Sequence, residues 1–130
     1  MKNANQGLPE HLFRYISSIT PMINVDILLY EKQNGICLTW REDEFYGPGW
    51  HIPGGIIRFK ESALDRINKV VDQELLIPEI TSTQLITVNQ IQNKNRDIRG
   101  HFLSLLFTAT PKYNQSYNQV DQHSVYKNGS

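Results

Sequence analysis

The 130 residues contain one cysteine, Cys37, so no disulfide forms within the chain and no cysteine-rich zinc site is available. Cys37 stands in an apolar run and reads as a buried, inert thiol. Net charge is also missing: 13 Lys and Arg balance 13 Asp and Glu. That argues against general electrostatic binding of nucleic acid, so no nucleic-acid partner is expected. No stretch approaches the ~20 apolar residues of a membrane span. The opening MKNANQGLPEHLFRY has no apolar signal core, so no membrane partner and a cytoplasmic location are expected. Hydrophobic residues at 39% and charged residues at 20% suit one folded domain over residues 1–130 with a loose stretch at about 1–8. There is no internal repeat and no linker.

Pro9 opens a short helix to about Ile19, with Leu12, Phe13, Tyr15 and Ile16 as its apolar members. MINVDILLY, Met22 to Tyr30, reads as a central strand because it is too apolar for a surface one. Asp26 within it is out of character. It either faces solvent or caps a neighbour, or it faces a ligand cleft, and it needs a partner in any case. Asn34-Gly35 is a hairpin dipeptide, and Ile36 to Arg41 is the return strand. REDEFYGPGW is a loop in which Glu42-Asp43-Glu44 is solvated. Tyr46 is a better stacking candidate there than Trp50, which reads as an anchor of the core or loop. Thr81 to Gln92 and His101 to Thr110 are further strands.

Between these lies WHIPGGIIRFKESALDRINKVVDQELLI, Trp50 to Ile77. Gly54 and Gly55 are expected to take positive φ and let the backbone approach a ligand. Ile56 to Phe59 reads as a short strand. The helix spans about Glu61 to Leu76, ended by Pro78, with Ala63, Leu64, Ile67, Val70, Val71 and Leu75 on its buried face. Asp65, Arg66, Lys69, Asp72, Gln73 and Glu74 largely fill the other positions. His51 and His101 read as hydrogen-bonded structural histidines.

This stretch resembles the signature of the Nudix hydrolases. Gly55 and Glu61 match it, as does Glu74, whereas Lys69, Val70, Gln73 and Leu76 stand where the signature has Arg, Glu, Glu and Gly. The chain is most similar to the GDP-mannose mannosyl hydrolase branch of that family. SITPMINVDILLY, WRED, GWHIPGG, GHFLSLLF and VDQHSVY carry the resemblance in order. It implies the Nudix fold, an α/β (α+β) domain with a mixed sheet sandwiched between helices. The family's final helix would be missing or shortened, because the chain stops at Ser130. The resemblance further implies one Mg²⁺ per subunit, or Mn²⁺ in its place, held by the Gly54 carbonyl, Glu74 and Gln122. His123 would be the general base, Arg41 would contact the diphosphate and Asp26 would lie beside the sugar. The implied substrate is a nucleotide sugar such as GDP-mannose or GDP-glucose, cleaved at the sugar C1–O bond, and the implied assembly is a homodimer.

Three departures bear on chemistry: Ile56 and Lys69 replace arginines of that branch, and Phe102 replaces a tyrosine. Arg58, two residues beyond Ile56 on the same side of the expected strand, is the candidate to compensate. Glu61 with Lys69 reads as a structural ion pair. His123, apart from the resemblance, reads as a surface histidine. Two other functions stay in play, a Nudix pyrophosphatase and a catalytically silent nucleotide-sugar binding module.

Overall fold

The computed structural model describes residues 7–32, 35–42, 48–77, 79–112 and 124–127, the last for their backbone alone. The elements are α1 (Glu10–Ile19), β1 (Met22–Glu31), β2 (Gly35–Arg41), β3 (Gly49–His51), β4 (Gly54–Ile56), α2 (Ala63–Gln73), β5 (Ile80–Gln92), β6 (His101–Pro111) and β7 (Ser124–Lys127). The sheet is mixed, with its main path β3-β2-β1-β6-β5. β1 is its centre: it runs parallel to β6 and antiparallel to β4 and β2.

Alternation along β1 separates two faces. Val25, Ile27 and Leu29 are fully buried and meet Ile67, Val70 and Val71 from α2 and Leu75 just beyond it in one core. Met22, Asn24 and Asp26 occupy the other face. Cys37 joins the core at 1% exposure, and burial pushes its thiol up to about 12, far from any reactive range.

The helix α2 is shorter than its apolar pattern suggested. Ser62 caps it: its hydroxyl accepts from the Asp65 N–H at 3.0 Å, and Asp65 accepts from the Ser62 N–H at 3.3 Å. Two side chains exchange the expected faces. Leu64 is half exposed, whereas Arg66 is buried because it turns back under the loop to Glu61. The far end explains the missing glycine. Leu76 sits at φ +56, the left-handed conformation that usually follows a helix, and the Ile77 N–H reaches the Val71 carbonyl at 2.9 Å. A side chain there costs roughly 1 kcal/mol, and 59% of Leu76 is exposed, so little burial offsets the cost. Leu76→Gly is therefore expected to stabilise the protein by about 0.5–1 kcal/mol in urea unfolding. A destabilised variant would show that Leu76 makes a contact its exposure hides.

The glycine pair also departs from expectation. Gly54 and Gly55 are not among the residues with positive φ; they lie in β4, opposite Asp26 and Val25 of β1. Glycine is needed for proximity instead. A Cβ on Gly54 would sit 2.4 Å from the Val25 carbonyl oxygen and 2.5 Å from Asp26 Oδ1. A Cβ on Gly55 would press on Arg66 and Val70, both at 3.2 Å. Strand pairing thus begins earlier than the apolar run Ile56–Phe59 and ends at Ile56, leaving Arg58 beyond the strand. At the β1–β2 turn, by contrast, Gly35 does take a left-handed φ of +83.

Candidate functional site

A cleft of about 1040 Å³ opens beside the exposed face of β1. Asp26 from β1, Arg41 from the end of β2, Gly54 from β4, Arg58 from the following loop and Glu74 at the end of α2 all line it. Five sequence-predicted residues are thus brought together from five places in the chain. Tyr46, Gln122 and His123 lie outside the described residues. His51 also lines the cleft, whereas His101 contacts Gln90 across the β5–β6 ladder, ring nitrogen to amide at 3.2 Å. Trp50 packs edge-on against Trp40 with centroids 5.4 Å apart.

Asp26 has both of the environments that its position left open. It faces the cleft, and it is held from behind. Asn24, two residues earlier on the same face, donates to Oδ1 at 2.9 Å, and the buried Ser104 hydroxyl on β6 donates to Oδ2. These partners satisfy the carboxylate and fix its direction.

Glu61 has a different role. Its carboxylate is 3% exposed and accepts two bonds from Arg66, Nε and Nη2 each at 2.7 Å, one from Lys69 at 3.0 Å and one from the Arg58 N–H at 3.2 Å. The hydrogen bond from Arg66 is the largest cause that holds its carboxyl down to about 2. The expected pair with Lys69 is present, but Arg66 is the main partner. Its signal in the sequence was spacing, five residues beyond Glu61, masked by its place among polar neighbours.

Of the helix acids, Glu74 alone faces the cleft. Partial desolvation pushes its carboxyl up, while the positive charges of Arg41 and then Arg66 pull it down. Glu74 ends α2, where carbonyls at the helix C-terminus add partial negative charge. A cation beside Glu74 meets both. Val70 and Val71 are buried in the core and supply no oxygen ligand. Among the described residues no group of three or more His, Cys, Asp or Glu is disposed to hold a metal. Asp26, the other carboxylate named in the cleft, is already bonded by Asn24 and Ser104, so Glu74 with a backbone carbonyl such as that of Gly54 would fit part of the shell of one hard cation and not a cluster of ions.

Ile56 and Phe102 also line the cleft, and Phe102 is only 7% exposed. Two other lining residues were not singled out by sequence: Phe13 on α1 and Arg99, whose guanidinium carbon lies 5.7 Å from the Phe13 ring centroid.

This arrangement of sheet, glycine strand and helix is the Nudix fold. A MutT NUDIX hydrolase from Burkholderia pseudomallei superposes with a TM-score of 0.61 over 82% of this chain and 74% of that one, at 15% identity. The NUDIX domain of Shewanella oneidensis NrtR, solved with ADP ribose, superposes with a TM-score of 0.57 over 93% and 78%, at 20% identity. By sequence, the chain is 26% identical over 124 residues to the low-salt glycan biosynthesis protein Agl8 of Haloferax volcanii, spanning 92% of this chain and 78% of that protein. No protein-family profile matches the chain. Among the described residues no helix is long and apolar enough to cross a membrane.

Proposed function

We propose that the protein hydrolyses a nucleotide sugar with one Mg²⁺ or Mn²⁺, releasing the sugar and a nucleoside diphosphate by cleavage of the C1–O bond. The observation that carries this reading is the cleft's inventory: one helix carboxylate, Glu74, with Arg41, Asp26 and Gly54 around it. Glu61 is already committed to Arg66 and Lys69. A P–O-cleaving Nudix pyrophosphatase draws on several helix acids, and two of those positions are Val70 and Gln73. The Gly54 carbonyl, Glu74 and Gln122 would hold the metal, which supplies charge that offsets the leaving diphosphate.

The chain's own groups account for the rest. Arg41 binds the diphosphate through its planar fork of donors. Asp26, fixed by Asn24 and Ser104, orients the sugar. His123 removes a proton from the attacking water, a task suited to a group near neutral pKa. Attack opposite the leaving group inverts C1, as in inverting glycosidases. Arg58 lines the cleft and supplies positive charge near Ile56. The nucleotide class is consistent with the ADP ribose bound to the NrtR domain, and a glycan-biosynthesis context with the name of the Haloferax relative.

The test is product identity with GDP-mannose and GDP-glucose. Nucleoside diphosphate with free sugar is expected. Nucleoside monophosphate would favour the pyrophosphatase, and binding without turnover the silent binding module, to which apolar Ile56 and Phe102 in the cleft lend support. His123→Ala should lower kcat by about 10²–10⁴-fold; unchanged turnover would remove His123 as the base.

A homodimer is part of the same reading. β5 ends the described path of the sheet, and its 13 residues carry no charge. It exposes Leu85, Ile86 and Val88 by about half. The strand has register shifts at Thr81/Gln84 and Leu85/Thr87 but no charge to guard it against pairing, so two copies of it meet without like-charge repulsion. Light scattering should give twice the chain mass, and Val88→Lys should give the monomer. A wild-type monomer at micromolar concentration would contradict the assignment.

A further inference from the structure

We propose that the part of the cleft beneath α1 is a base subsite, in which the Arg99 guanidinium, tiered on Phe13, stacks against the heterocycle of the nucleotide. The inference rests on the nucleotide reading above and adds where the base goes.

Register places this subsite. Ile91 of β5 lies opposite Phe102 of β6, which lies opposite Met22 of β1, so three apolar side chains form one row across three strands. All three line the cleft. Asp26 is on the same face of β1 four residues further along, about 13 Å away at the rise of an extended strand. That separation is of the same order as the span from a nucleobase across its ribose and diphosphate to the sugar that Asp26 orients. The cleft therefore has a polar portion with Asp26, Arg41 and Glu74 and an apolar row at the distance the other half of a nucleotide needs.

Arg99 gives the apolar row its selectivity for a flat ring. Its guanidinium carbon lies 5.7 Å from the Phe13 ring centroid, within the range of a cation–π pair, and it lines the cleft. A planar guanidinium accepts an aromatic ring by stacking and also has N–H donors for ring acceptors. The backbone of Arg99 is held at φ +53, a conformation that a glycine would take without cost. This chain keeps an arginine there.

Titration calorimetry with Mg²⁺ separates the possibilities, using GDP, ADP and inorganic diphosphate as probes. Arg99→Gly is the informative variant because it suits the backbone and so keeps the fold; Phe13→Leu preserves apolar bulk. Both are expected to weaken GDP and ADP binding by about tenfold, with inorganic diphosphate unchanged within about twofold. Equal losses for nucleotide and diphosphate would make Arg99 a phosphate contact and overturn the base subsite. Unchanged nucleotide binding would overturn it as well, leaving the hydrolase reading intact. A wild-type protein that binds neither nucleotide would overturn both.

Discussion

Glu74→Gln is expected to lower nucleotide-sugar turnover by at least about 10²-fold, since outer-shell partners of a metal already matter by 10–100-fold. The substitution keeps the shape of the side chain and removes the charge that would meet the cation. Glu74 is exposed at the end of α2, outside the core, so the fold should survive and circular dichroism should match wild type. The loss should be accompanied by a higher Mg²⁺ concentration for half-maximal rate. Asp72→Asn supplies the control: Asp72 is exposed on the same helix but does not line the cleft, and its rate should stay within about twofold. If Glu74→Gln keeps full activity at low Mg²⁺, the assignment of the metal ligand fails.

The second large effect is on stability. Glu61→Gln leaves the Arg66 guanidinium, whose side chain is 9% exposed, without its charged partner. Breaking a buried pair in this way costs about 3 kcal/mol. The pH dependence has a definite sign. The folded carboxyl is held near 2, below its ordinary value of 4.5. Its contribution is therefore present above pH 4.5 and is lost as pH falls through about 2. In urea unfolding, the gap between wild type and variant should be full at pH 7 and shrink toward pH 2. A gap independent of pH would mean that packing, not charge, ties this loop to α2. Lys69→Ala should cost less than about 1 kcal/mol, because Lys69 is half exposed and water screens it.

The two effects separate two carboxylates that the signature treats alike. Glu61 is a structural clamp between the glycine strand and the helix, whereas Glu74 faces the cleft. Sequence spacing placed both on one loop–helix unit. What distinguishes them is Arg66, and no periodicity marks a buried arginine. Its neighbours Asp65 and Lys69 are exposed, so it reads as one more polar position until the chain folds the guanidinium back onto Glu61.

Other features were legible because they depend on local pattern. β1 was visible as central from its apolar run, and it does pair with three other strands. The resemblance also pointed to the fold, which the structural neighbours share. The role of Gly54 was not legible. Two adjacent glycines suggest left-handed turns, but here the reason is the closeness of Val25 and Asp26 on another strand. A contact nearly 30 positions away in sequence leaves no local signal. Leu76 shows the converse: the glycine of the signature is lost, yet the backbone keeps the conformation that glycine would favour. Asp26 was recognisable as anomalous, and only the parallel pairing of β1 with β6 reveals Ser104 as its support.

Cleavage at carbon rather than phosphorus is tested by hydrolysis of GDP-mannose or GDP-glucose in ¹⁸O-water with Mg²⁺. Mass spectrometry should find the label on the released sugar and none on the nucleoside diphosphate. Label on a phosphate, with the sugar unlabelled, would put the attack at phosphorus and rule out C1–O cleavage.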